Sequence, residues 1–94
     1  MRELLLEVLT APGCRSCQRA KSVARQVIDE LSYLDIRYRE VNIIDDIDYA
    51  VKLGLRNTPA IALDGEHVFS PAPSVKQVRE AILKIVENEQ RVER

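Results

Sequence analysis

The chain has 94 residues, 46% hydrophobic and 31% charged, with 14 Lys and Arg against 15 Asp and Glu for a formal charge of −1. That length suits a single domain over residues 1–94 with one modest core. The near-neutral balance argues against a general nucleic-acid binder, which carries a strong basic excess, and no apolar run approaches the ~18 residues a membrane span needs. The opening "MRELLLEVLT" is too short and too charged for a secretory apolar region, so a cytoplasmic location is expected.

"LLLEVL" (Leu4 to Leu9) is a nearly continuous apolar run closed by Pro12-Gly13, the pattern of a strand covered on both faces. From Ala20 the apolar residues Val23, Ala24, Val27, Ile28 and Leu31 form one stripe of an amphipathic helix expected from about Arg15 to Leu31. "IRYREVNI" (Ile36 to Ile43), rich in β-branched and aromatic residues, reads as a second strand whose alternation slips between Tyr38 and Val41. Asp45 or Asp46 can cap a short helix "DIDYAVKL", and Gly54 followed by Leu55 supplies a left-handed stop with an apolar clasp. Ala60 to Leu63 and His67 to Ser70 read as strands joined at Asp64-Gly65. Ser74 to Gln77 matches a capping box, and Val75, Val78, Ile82, Ile85 and Val86 give a last helix its buried stripe. The core should span about residues 4–86, with the polar "ENEQRVER" (residues 87–94) frayed. Tyr33, Tyr38 and Tyr49 read as packing residues, and His67 as an exposed hairpin residue.

The order βαβαββα implies an α/β protein: a four-stranded mixed sheet with helices on both faces. Its two cysteines lie in "APGCRSCQRAK", at the first strand-to-helix junction. In a reducing compartment a four-residue loop makes a poor structural staple, so the pair is expected to serve chemistry. Cys14-x-x-Cys17 at that junction, the element order, and Thr58-Pro59 entering the third strand together resemble the thioredoxin fold over roughly Leu4 to Val86. Within that superfamily the chain resembles the small glutaredoxin-like and thioredoxin-like oxidoreductases that begin directly at the strand before the site. The resemblance implies a thiol-disulfide oxidoreductase with no cofactor beyond a redox-active Cys14–Cys17 disulfide and no metal. It also implies a disulfide-containing protein substrate, and recharging by a reductase or a low-molecular-weight thiol. A monomer is expected.

The chemistry explains the spacing. Cysteines three apart across a first helical turn lie about 5 to 6 Å apart, within disulfide range. A free cysteine is only about 3% thiolate at pH 7, and a helix N-terminus with Arg15, Arg19 and Lys21 nearby favours the anion. Cys14, at or just before the first helical residue, is the expected nucleophile, and Cys17, one turn in, the resolving thiol. Gly13, Arg15 and Ser16 would shape the groove with Thr58 and Pro59, the latter resembling the family's cis-proline. Thioredoxins usually carry Trp before the first cysteine and Gly-Pro between the two, and glutaredoxins Pro-Tyr, whereas this chain has Gly13 and Arg15-Ser16. "SPAPS" (Ser70 to Ser74) replaces the Gly-Gly segment of glutaredoxins, which puts glutathione dependence in doubt. Val8 stands where thioredoxins carry a buried acid, with Glu7 beside it facing the other way; either water or Glu7 could exchange the Cys17 proton.

Two other readings compete. A metal carrier could use the same two thiolates, but copper chaperones have Met where Pro12 stands and end in a strand, and His67 is the single histidine available to complete a zinc site. A non-catalytic adaptor would have no need of two thiols at a helix start. Asp45, Asp46 and Asp48 lack the rest of a calcium loop and read as helix caps. Between Ala11 and Ile28 the chain carries Arg15, Arg19, Lys21 and Arg25 and no acid, either a solvated face or a patch that steers an acidic partner.

Overall fold

The apolar run Leu4–Thr10 forms β1, and its neighbours bury both of its faces. In the computed structural model, which describes residues 3–55, 57–70 and 73–92, β1 pairs in parallel with β2 (Ile36–Asn42), Leu4 opposite Ile36 and Thr10 opposite Asn42. On its other side β1 pairs antiparallel with β3 (Ala60–Leu63), Leu9 opposite Ala60, and β4 (His67–Phe69) completes the order β2-β1-β3-β4. The family's α/β architecture is therefore present, in the sequence order expected.

Alternation along β1 separates two layers. Leu4, Leu6 and Val8 join Ile61 and Leu63 under α1 (Cys17–Glu30) and α3 (Val75–Val92), packing against Ala20, Ala24, Val27, Val78 and Ile82. Leu9 turns to the other face, where Val41, Ala60 and Ala62 meet Tyr49 and Leu53 at and just after α2 (Ile47–Lys52). Each fully buried Leu, Ile or Val contributes roughly 1.5–3 kcal/mol, so the larger α1/α3 layer carries most of the stability. The slipped alternation in β2 has a tertiary cause: Ile36 and Tyr38 pack toward α1 and α3, whereas Val41 packs toward α2. Ile36 and Tyr38 lie on one face of the strand and Val41 on the other.

Local signals close the elements largely as expected. Ser74 N–H donates to Gln77 Oε1 at 2.9 Å and Gln77 N–H to Ser74 Oγ at 3.2 Å, the reciprocal pair of a capping box. At the end of α2, Leu55 N–H donates to Ala50 C=O at 3.0 Å and Gly54 N–H to Val51 C=O at 2.9 Å, with Gly54 at φ +72°. Asp64 and Gly65 both take positive φ, and Glu66 N–H closes their turn onto Leu63 C=O at 3.1 Å.

Several expectations are corrected. α1 begins at Cys17, not Arg15, because residues 12–16 form turns. Asp46 occupies the cap position of α2 without a side-chain cap bond; the nearby turn instead uses Asn42, whose Oδ1 accepts from Ile44 N–H at 2.9 Å. α3 does not fray at Glu87 but continues through Val92, since Glu, Gln and Arg are good helix formers and neither Gly nor Pro interrupts them. Tyr33 is 67% exposed and packs little. β4 stops at Phe69; the side chain of His67 lies outside the described residues.

Candidate active site

Residues 11–16 carry β1 into α1 and present Cys14, and Cys17 opens the helix. Gly13 sits at φ +75°, a left-handed conformation that glycine adopts at little cost, and Cys14 N–H donates back to Ala11 C=O at 3.2 Å. Cys14 and Cys17 are joined in a disulfide with their Cα atoms 5.5 Å apart, inside the expected range. Cys14 is partly exposed, whereas Cys17, the first residue of α1, is 6% exposed.

The start of α1 is electrostatically open. Ser16 occupies the cap position with no side-chain cap bond, and no acid lies in the first turn. Its first N–H groups therefore face the sulfurs without a protein carboxylate to compete. The helix is also charged against its own dipole, with Arg19 and Lys21 near the positive end and Asp29 and Glu30 at the negative end. Arg19, in the first turn, opposes the helix dipole, and a thiolate at Cys14 relieves that opposition.

Thr10, Ala11, Gly13, Cys14, Arg15, Cys17, Gln18 and Lys21 line one shallow cleft. Ser16 lies in a neighbouring groove with Arg19, Ala20, Val23, Pro73, Ser74 and Val75. Thr58 and Pro59 line neither; their peptide bond is cis, Pro59 is buried, and they immediately precede Ala60, the partner of Leu9. That register sets them alongside the residues that lead from β1 to Cys14. Beyond Lys21 the cleft is bounded by the Lys21–Glu40 ion pair at 3.5 Å. Glu40 accepts a 2.6 Å bond from the Tyr38 hydroxyl, which, with Lys21 beside it, holds its carboxyl below the usual range.

Glu7, open in sequence as a proton donor for Cys17, is fully buried on the α2 side of the sheet, away from α1. Its Oε1 accepts a hydrogen bond from the Tyr49 hydroxyl, and its Oε2 lies 3.0 Å from Arg39 Nη2. The Arg39 contact is an ion pair without hydrogen-bond alignment, so Oε2 is charge-compensated but not hydrogen-bonded. The Arg39 guanidinium also stands 5.8 Å from the Tyr49 ring centroid. Burial, then the bond to Glu7, pushes the Tyr49 phenol up to about 12. Sequence reasoning missed this network; its one local signal is an acid in the middle of a buried strand.

Residues 4–83 match the family model described as Thioredoxin domain. The chain belongs to the thioredoxin domain family. It is 29% identical over 85 residues to a thioredoxin of Methanocaldococcus jannaschii, covering 89% of this chain and 98% of that one. It is 35% identical over 77 residues to a probable thioredoxin of Methanothermobacter thermautotrophicus, covering 82% and 89%. Chloroplastic thioredoxin z shares the fold, with a TM-score of 0.73 at 15% identity over 90% of this chain and 80% of that one. With the Cys14–Cys17 pair in place, this family member is a dithiol thiol-disulfide oxidoreductase, and neither the metal-carrier nor the adaptor reading is favoured. Among the described residues no group of three or more His, Cys, Asp and Glu could hold a metal ion, and no helix is long and apolar enough to cross a membrane.

Proposed function

We propose that Cys14 is the attacking thiol and Cys17 the resolving thiol of an exchange with disulfide-containing protein substrates. The observation that carries this division is the difference in access: Cys14 borders an open cleft, and Cys17 is 6% exposed. Cys14 thiolate attacks one sulfur of the partner disulfide, forms a mixed disulfide and releases the other partner sulfur as a thiolate that takes a proton from water. Cys17, after losing its proton, attacks the Cys14 sulfur and releases the second partner thiol. Two electrons pass to the partner, and the Cys14–Cys17 disulfide is left to be reduced by a reductase or a low-molecular-weight thiol. The cysteine pair is the only redox group this cycle needs. Gly13, Arg15 and Ser16 form the exposed surface on which the partner segment rests, with Thr58 and the buried Pro59 at its margin. The protein acts as a cytoplasmic monomer, in a compartment whose reducing poise suits a dithiol.

With Glu7 on the other face and Val8 under α1, the Cys17 proton leaves through water. The test combines a redox titration, read by alkylation and mass spectrometry, with two variants. A reversible two-electron step between about −300 and −120 mV is expected. Cys14→Ser should abolish reduction of a protein disulfide, and Cys17→Ser should accumulate a mixed disulfide. Equal residual activity in the two variants overturns the assignment of roles.

A further inference from the structure

Among the described residues, two arginines beside the disulfide lack the carboxylate partner that several other cations of the molecule have, Lys21 in the same cleft among them. Arg37, Arg39 and Arg79 are each held by a carboxylate, at 3.5, 3.0 and 2.8 Å. Arg15 and Arg19 are exposed and, among the described residues, have no ion-pair partner. Arg15 lines the cleft that holds both sulfurs, Arg19 lines the adjoining groove, and neither lining includes a carboxylate among the described residues. Asp45, Asp46 and Asp48, which make the middle of the chain acidic, belong to α2 and its approach and line neither groove. A merely solvated helix face would mix charge signs, with acids near the N-terminus. Here eighteen residues from Ala11 to Ile28 carry no acid.

We propose that Arg15 and Arg19 make this oxidoreductase selective for polypeptides whose disulfide is flanked by acidic residues. The proposal rests on the exchange reading above and adds the class of partner. Screening sets its reach. At physiological ionic strength the Debye length is about 8 Å, and an extended peptide advances about 3.3 Å per residue, so the arginines sense charges two or three residues from the attacked cysteine. Acidic flanks raise the encounter rate and hold the segment across the cleft while Cys14 attacks; basic flanks are repelled. The electron balance is that of the exchange itself: the protein dithiol is oxidised as the peptide disulfide is reduced, with two electrons and two protons transferred.

The experiment uses the full chain, pre-reduced and freed of reductant, with two disulfide-bonded peptides identical except for three Glu or three Lys around the cysteines. At about 10 mM salt the second-order rate for the Glu peptide should exceed that for the Lys peptide by about 10-fold or more, and the ratio should approach 1 at about 1 M. Arg15→Glu with Arg19→Glu should invert the preference, slowing the Glu peptide and speeding the Lys peptide. Effects exerted only through the Cys14 thiolate would move both rates in one direction, and that result overturns the proposal. Equal rates for the two peptides with the wild-type protein at low salt also overturn it. If neither peptide is reduced at all, the exchange reading itself fails, a separate and recognisable outcome.

Discussion

Replacing Tyr49 by Phe removes one hydroxyl and leaves a fully buried carboxylate without its hydrogen-bond donor. Glu7 has two compensating contacts, the Tyr49 hydroxyl on Oε1 and the Arg39 guanidinium 3.0 Å from Oε2. Arg39 is half exposed, with a side-chain exposure of 53%, so the ion pair by itself contributes no more than about 0.2–1 kcal/mol. A hydrogen bond to a charged acceptor contributes about 1.5–3 kcal/mol, and Glu7 itself has no exposure to solvent with the hydroxyl in place. Tyr49→Phe should therefore cost about 2 kcal/mol, which in a domain of this size lowers Tm by roughly 8–16 °C. The assay is urea unfolding followed by circular dichroism, with the slope m unchanged and the midpoint lowered. A second arm isolates the interaction. In a Glu7→Leu background the buried charge is absent, so the added Tyr49→Phe change should cost under about 0.5 kcal/mol. A loss below about 0.5 kcal/mol in the wild-type background, or the same loss in both backgrounds, would refute the view that Tyr49 satisfies a buried carboxylate.

Alkaline stability tests the two partly buried phenols. Burial, then the bonds to Glu40 and Glu7, raises Tyr38 and Tyr49 to about 12 from 10.0. The folded state then holds these protons more tightly than the unfolded one, so the contribution is full below pH 10 and is lost as pH rises from 10 to 12; Tyr38→Phe and Tyr49→Phe should each flatten that loss in denaturant midpoints. Ser74→Ala removes the Oγ that accepts from Gln77 N–H and should cost about 1 kcal/mol by thermal unfolding, with Ser74→Thr retaining most of it. Gly54→Ala should cost about 1 kcal/mol through its backbone alone, because φ is +72° and a Cβ there meets nothing within 4 Å. A much larger loss would point to crowding.

The short-range features of this protein are written in residues a few positions apart. Ser74 and Gln77 contain both halves of a capping box, Gly54 and Leu55 the end of α2, and Leu4 to Leu9 a strand that must be covered twice. Cys14-x-x-Cys17 between that strand and an amphipathic stripe was enough to suggest the fold and the chemistry, because a turn at a helix start brings Cα atoms three apart within disulfide range. Other features depended on partners far along the chain. The Tyr49 hydroxyl reaches Glu7 across 42 positions, and Thr58-Pro59 comes beside the cysteine loop only through the pairing of Leu9 with Ala60. The slip in β2 makes sense once α1 and α2 are known to lie on opposite faces of the sheet. A residue's own neighbours determine its local conformation, but the sheet register determines which face it lies on. Register decided that Glu7 stabilises the fold on the α2 face, away from the sulfurs at the start of α1.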